Sequence, residues 1–249
     1  MRRDSRDLTS TFRVWLLILL SFYALSVSMR SSSREVRVVE LKIAAPVEFK
    51  ISDMWRVEIH KMVRDVSQSF NSRFGIAFSV KEVAFWQPGS SFECLPDFLR
   101  DLIKKVPRGA CHLVIGIIPS RISQAPPFGI ADYLRAYVLI KDHPSKSGLA
   151  EVLTHELCHI FGAIDLEEKG SIMDLSRRGG RYDAFTAKIV ALNKNRSFGL
   201  NEFPLPPDAI EEAIALYRNR LGQEKEKNEI QIVLSHLHQE KSRGALMDR

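Results

Sequence analysis

Residues 154–165 read Thr-His-Glu-Leu-Cys-His-Ile-Phe-Gly-Ala-Ile-Asp, with two histidines four positions apart and a glutamate directly after the first. On a helix with 3.6 residues per turn, His155 and His159 project from one face and can bind the same metal ion. Gly162 can adopt a positive φ, so the pattern predicts that the helix ends there and the chain turns back. That turn would bring Asp165 to the metal as a third ligand.

These ligand types favour zinc. Zinc binds nitrogen, oxygen and sulfur atoms in four-coordinate sites, and a catalytic site leaves one of the four positions to water. His155, His159 and Asp165 supply the other three. Glu156 lies beside them, where a carboxylate can act as general base towards a metal-bound water. The stretch therefore predicts a hydrolase with one catalytic Zn²⁺. The alternative is a helix whose histidines pair with Glu156 or with solvent.

The motif resembles that of the metzincin metallopeptidases, H-E-x-x-H-x-x-G-x-x-H followed by a methionine-containing turn. Four residues match the first part of that pattern: His155, Glu156, His159 and Gly162. Met173 falls where the Met-turn would lie under the metal. Asp165 stands where most members have histidine, and small bacterial members similar to snapalysin also have aspartate there. The resemblance implies peptide-bond hydrolysis, and protein or peptide substrates.

The resemblance also implies where a substrate would bind. In the family, the strand before the active-site helix lies at the sheet edge and binds extended peptide by strand addition. The matching segment is 136–140, whose first three residues, Ala136, Tyr137 and Val138, become candidate substrate contacts. An ordinary strand without a ligand is the alternative. The loop after Met173 is basic, and Arg177 is a candidate for contacting anionic substrate groups. Tyr182 is a candidate oxyanion donor, with core packing as its alternative.

Hydrophobic patterns along the chain predict an α/β fold. Strands alternate with helices, which favours layered packing with right-handed crossovers. The metzincin resemblance further implies a mixed, mostly parallel twisted sheet covered by helices. An entirely apolar run at 113–118 is typical of a central strand covered on both faces. The other predicted strands lie at 35–51, 76–80 and 136–140, and the other predicted helices start near 52, 97 and 183.

The two ends of the chain differ in composition from its middle. Arginines precede a short apolar run in residues 1–28, and small residues follow it, which predicts a signal peptide or an uncleaved N-terminal anchor. Either would export the protein, and membrane contact is expected only through this segment. Residues 29–203 are the predicted catalytic domain. Residues 204–249 are a predicted helical extension that docks on the domain or on a partner.

Composition excludes some classes of protein. The chain has 249 residues, of which 45% are hydrophobic, so it is expected to be globular. Its net charge is +6, yet residues 204–249 carry seven Lys/Arg against eight Asp/Glu, and no groove-reading motif is present. We therefore expect no nucleic-acid partner. Cys94, Cys111 and Cys158 cannot all pair within one chain, and no disulfide framework is expected.

Two alternatives to the preferred site remain open. In the first, a peptidase keeps the two histidines and Glu156 but takes its third ligand from a later glutamate, with Glu202 and Glu211 as candidates. In the second, the protein is a non-catalytic envelope protein-binding module whose zinc is structural.

Overall fold

The computed structural model describes residues 35–48, 54–89, 92–119, 127–142, 146–174, 180–199, 205, 207–221 and 227–247. The predicted N-terminal signal or anchor lies outside these residues. From Val36 onwards the chain forms one compact unit. No helix within the described ranges is both long and apolar enough to cross a membrane.

The unit contains five strands and six α-helices among the described residues. The strands are β1 (Arg37–Pro46), β2 (Ile76–Trp86), β3 (Leu113–Ile118), β4 (Gly129–Asp132) and β5 (Tyr137–Lys141). The helices are α1 (Met54–Phe74), α2 (Leu95–Lys105), α3 (Lys146–Ile160), α4 (Ala184–Leu192), α5 (Pro207–Arg220) and α6 (Lys227–Met247). A 3₁₀ turn, Asn193–Asn195, follows α4.

The five strands form one mixed sheet in the order β2-β1-β3-β5-β4. Strands β2, β1, β3 and β5 run parallel, and β4 runs antiparallel to β5. Strand β3 is central and every side chain in it is buried, because apolar residues cover both of its faces. The predicted α/β class with a mixed, mostly parallel sheet is therefore confirmed.

The position of the fifth strand corrects the prediction of an edge strand at 136–140. Strand β5 lies between β3 and β4, and all its side chains are buried. The edge strand is β4, whose four residues are too few to show a period-2 pattern in sequence. Ala136 precedes β5 in a tight turn, with a φ of 59°.

Alternate side chains of the central strands enter two apolar clusters on opposite faces of the sheet. Leu113, Ile115 and Ile117 of β3 face the larger cluster, which also contains the buried faces of α1 and α3. Val114 and Ile118 face a smaller cluster under α2. Helix α1 contributes residues at helical spacing: Ile59, Met62, Val63, Val66, Phe70 and Phe74.

The two C-terminal helices pack onto the same unit. Ile214 and Tyr217 of α5, and Ile230 and Leu234 of α6, belong to the larger cluster with the sheet and α3. The C-terminal extension thus docks on the domain, one of the two arrangements that the sequence left open.

Candidate metal centre

Helix α3 carries the three central residues of the motif and ends at Ile160, as the glycine predicted. Gly162 has a φ of +89°, and a Cβ there would lie 2.6 Å from Asn193 Nδ2. Both the backbone conformation and the lack of space therefore require glycine. The Tyr217 hydroxyl donates a hydrogen bond to the Gly162 carbonyl, so α5 helps to hold the turn.

Backbone carbonyls orient both histidine rings. His155 Nδ1 lies 2.9 Å from the Ile172 carbonyl oxygen, and His159 Nδ1 lies 2.8 Å from that of Ala163. A carbonyl can only accept a hydrogen bond, so each Nδ1 carries the proton and donates it. In each neutral ring, Nε2 is then left with a lone pair, which is the form that binds a metal.

Three atoms with lone pairs converge on one point: Nε2 of His155, Nε2 of His159 and Oδ1 of Asp165. The two Nε2 atoms are 3.1 Å apart. Asp165 Oδ1 lies 3.2 Å from His155 Nε2 and 3.4 Å from His159 Nε2. Ligands about 2.0–2.2 Å from a tetrahedral zinc ion are about 3.3–3.6 Å from one another. The three separations are close to that spacing, so the donor set fits zinc.

The surroundings of Asp165 also favour a bound cation. Its Oδ1 is buried and accepts no hydrogen bond within the described part of the chain. Burial would raise the pKa of this carboxyl, but the two imidazoles outweigh that effect and hold the pKa well below its usual range. Burial likewise opposes a charge on His159, yet Asp165 and Glu156 raise the pKa of this ring to about 9, so a metal ion that binds here would replace a proton on Nε2.

Glu156 lies beside the convergent atoms and is only 2% exposed. One of its carboxylate oxygens lies within 4.8 Å of the ligand nitrogens of His155 and His159. Gly129 of β4 packs directly against this side chain, since a Cβ at residue 129 would lie 2.5 Å from Glu156 Oε1. The sequence contains no local signal for this contact, because residues 129 and 156 come together only when β4 pairs with β5.

The segment 171–174 supports the site from below α3. Ile172 provides the carbonyl that orients His155, and Met173 is fully buried. The Ser171 hydroxyl accepts a hydrogen bond from Met173 N at 3.0 Å and donates one to Asp183. Asp183 also caps α4 by accepting from Thr186 N at 2.8 Å. One carboxylate therefore fixes both the segment and the next helix, a role that the sequence did not reveal.

The pKa of Asp183 reflects these contacts. Burial would raise it, but hydrogen bonds from Ser171 and Thr186 outweigh burial and hold the pKa below its usual value. The ionised carboxylate is thus the form that the fold stabilises.

The candidate substrate contacts Ala136, Tyr137 and Val138 do not line the cavity that contains the candidate metal ligands. The backbone of Tyr137 and Val138 already pairs with β3 on one side and β4 on the other, so this strand cannot accept a peptide. The Tyr137 hydroxyl donates to the Val106 carbonyl at 2.9 Å. Ala136 is buried in the preceding turn. Peptide binding by strand addition at 136–140 is therefore excluded, and any other role of these three residues in substrate binding stays a prediction.

Tyr182 packs in the core, which was the alternative to its role as an oxyanion donor. Its ring packs edge-on against Phe70 and Phe74, and its hydroxyl lies 3.0 Å from Ser69 Oγ. It therefore belongs to the core under α1 and does not face the metal ligands. Arg177 lies outside the described residues.

Neither of the two glutamates considered as alternative third ligands is seen at the histidine rings in the described residues. Glu211 lies on α5 and forms an ion pair with Lys241 of α6. Glu202 lies outside the described residues. Asp165 is the carboxylate that the structure brings to both ring nitrogens.

All three cysteines are free in the structure. Cys158 is completely buried in the core behind the motif, and burial raises the pKa of its thiol. Zinc ligation needs a thiolate, so this position favours a packing role.

A cavity of about 620 Å³ opens beside the candidate ligands. Its remaining walls are largely apolar and come from α2, the segment 127–134 and α6. Leu134 and Ile232, which are 51% and 59% exposed, stand at this cavity although large apolar side chains are usually covered. His236 of α6 also lines it, so the C-terminal extension contributes to the cavity wall.

No family model and no curated protein matches this sequence. Among solved structures, the chain is similar to archaemetzincin from Methanopyrus kandleri, with 14% identity over 67% of this chain and 99% of that chain, and a TM-score of 0.48. Metalloproteinase-II from Bacteroides fragilis shows 12% identity over 64% and 54% of the respective chains, with a TM-score of 0.46. A chain of a chaperone–substrate complex shows 10% identity over 64% and 34%, with a TM-score of 0.45. Likenesses this weak assign no activity to the protein.

Proposed function

We propose that this protein is a zinc-dependent endopeptidase of metzincin type. The observation that carries the proposal is the convergence of His155 Nε2, His159 Nε2 and Asp165 Oδ1, all with lone pairs, at the spacing of a tetrahedral site. Both rings are fixed by hydrogen bonds through their Nδ1 atoms, so the site is pre-organised.

His155, His159 and Asp165 would hold the ion. When bound, zinc lowers the pKa of a coordinated water and polarises the scissile carbonyl. Glu156, within reach of the same point, accepts a proton from the attacking water and delivers it to the leaving amine. The turn containing Met173 is proposed to act as the family's Met-turn, supporting the His155 ring through Ile172.

The substrate is proposed to be an extended peptide with an apolar side chain next to the scissile bond. Strand β4 is the edge strand beside Glu156, and its outer side bears no other strand of the described sheet. Main-chain hydrogen bonds to such an edge bind a peptide irrespective of its sequence. The apolar walls of the adjacent cavity would then select an apolar side chain.

Residues 1–28 are proposed to export the protein as a signal peptide or anchor. N-terminal sequencing of protein recovered from cell-envelope and extracellular fractions tests this. A mature chain that begins after residue 20 supports cleavage, and full-length protein confined to the cytoplasm contradicts export.

Two substitutions test the proposed chemistry. Glu156→Gln should retain one zinc per chain and lower kcat/KM on an apolar-rich peptide library by at least about 10²-fold, because the amide cannot accept the water proton. Asp165→Ala should lose zinc as well as activity, because it removes a ligand. Zinc content by mass spectrometry and chelator-sensitive peptide cleavage are the measurements. Cleavage by neither wild type nor Glu156→Gln, with zinc bound to both, would favour the binding module with structural zinc.

A further inference from the structure

A second cavity, of about 610 Å³, opens among the amino-terminal ends of β1 and β3 and the segment after α4. Arg37, Arg108 and Arg196 line it, together with His112 and Phe198, and none of the described residues that line it is acidic. This cavity shares no lining residue with the one at the metal ligands.

Within the described part of the chain, the positive charge of the three guanidinium groups is not balanced by neighbouring carboxylates. Glu40 and Asp132 interact with this cluster, but they are already paired with Lys81 and Arg135. Arg196 is only 1% exposed, and a buried charge is normally paired. Its pKa is lowered by burial to about 10, so it remains cationic at neutral pH.

Neutral groups hold the guanidiniums in place. Arg196 donates to the carbonyls of Ile160 and Tyr133, and Arg37 donates to those of Lys194 and Arg196. The Cζ atoms of Arg37 and Arg196 lie 5.0 and 4.9 Å from the centre of the Phe198 ring. These contacts fix the positions of the charges, but carbonyls and an aromatic ring do not cancel three formal charges.

Donors remain for a ligand. Arg108 donates from Nη1 to the His112 carbonyl at 2.8 Å, and a guanidinium has five N–H groups, so that bond leaves others for the cavity. His112 Nδ1 accepts from Glu40 N at 2.9 Å, so the neutral ring carries its proton on Nε2 and offers a further donor. Arg108 and His112 therefore retain N–H donors that these hydrogen bonds do not use.

We propose that this cavity is an anion-binding site for a phosphate group, formed by Arg37, Arg108, Arg196 and His112. Guanidinium groups match phosphate oxygens with paired N–H donors, and a doubly charged phosphate balances most of the excess charge. The volume exceeds that of a free phosphate, so the group can belong to a small phosphate monoester. Arg196 links the site to the carbonyl of Ile160, next to the metal ligand His159.

Thermal unfolding of the full-length, zinc-loaded protein tests the site. Inorganic phosphate at about ten times its Kd should raise Tm by about 3 °C over sodium chloride at equal ionic strength. Glycerol 3-phosphate is the second probe. Stronger stabilisation by the monoester identifies an esterified ligand, and equal stabilisation identifies the free anion as sufficient.

Arg108→Gln should weaken phosphate binding by about tenfold or more, and Arg108→Lys by less, since lysine keeps the charge but not the paired donors. Arg64→Gln is the matched control, because it removes the same charge from an exposed position on α1. An anion bound at the metal centre would be unaffected by Arg108→Gln, which separates the two sites. Equal stabilisation by phosphate and chloride, or equal phosphate affinity in Arg108→Gln and Arg64→Gln, would overturn the proposal.

Discussion

At the scale of single residues, the site depends on a few atoms whose positions are fixed from outside the motif. The sequence identified His155, Glu156 and His159 correctly as neighbours, because a spacing of four on a helix is a local property. Asp165 came within reach because Gly162 permits the turn. The contact between Gly129 and Glu156 could not be predicted from the sequence, because it depends on how the strands of the sheet pair.

Gly129→Ala tests how closely the edge strand β4 packs against Glu156, the proposed general base. A Cβ at this position would lie 2.5 Å from Glu156 Oε1, so the carboxylate must move. Displacement by about 1 Å costs about 10²-fold in rate, and we expect a fall of that order in kcat/KM with zinc content unchanged. Gly180→Ala is the control, because a Cβ there meets nothing within 4 Å. Equal activity in both variants would show that Glu156 tolerates displacement.

Asp183→Asn tests the support beneath the metal ligands through pH dependence. The folded-state pKa of Asp183 is depressed, so its contribution to stability is fully present above the unfolded value of about 3.9 and is lost as pH falls below it. We expect Asp183→Asn to lower the free energy of unfolding by about 1–3 kcal/mol at pH 6–7, and the difference from wild type to shrink below about pH 4. Urea denaturation in chelator from pH 3 to 7 measures this. A constant difference across that range would show that the charge of Asp183 contributes nothing.

At the scale of secondary-structure elements, long periodic segments were predictable and short or pairing-dependent ones were not. Helix α1 and strand β3 follow from their own apolar patterns. Strand β4 was missed because four residues carry too little pattern. The assignment of 136–140 to the edge failed because an edge is defined by which strands pair, and β4 folds back along β5 to occupy that side.

Helix α5 contributes to the metal centre through one hydroxyl. Tyr217 donates to the Gly162 carbonyl within the turn between His159 and Asp165. Tyr217→Phe should therefore lower stability by about 1–2 kcal/mol and weaken zinc binding by several-fold, since the turn loses a tether. Tyr182→Phe also loses a hydroxyl contact, to Ser69, but should leave zinc affinity unchanged. Competition with a chromophoric zinc chelator measures both. Identical zinc affinities for the two variants would contradict a link between α5 and the ligand turn.

At the scale of the whole molecule, α3 carries the two candidate histidine ligands, and the rest of the fold supplies Asp165 and completes the cavity around them. The sequence separated residues 204–249 as an extension, and that boundary stays a prediction. The structure packs α5 and α6 into the core cluster that contains α3, and α6 reaches the cavity at the metal ligands. Such docking could not be read from sequence, because an apolar stripe does not reveal which surface it covers.

The zinc K-edge X-ray absorption spectrum of the zinc-loaded protein tests the central claim most directly. The claim predicts four nitrogen or oxygen scatterers at about 2.0–2.2 Å, two of them with the outer-shell signature of imidazole, and loss of bound zinc in Asp165→Ala. A sulfur scatterer at about 2.3 Å, or an unchanged spectrum in Asp165→Ala, would contradict it.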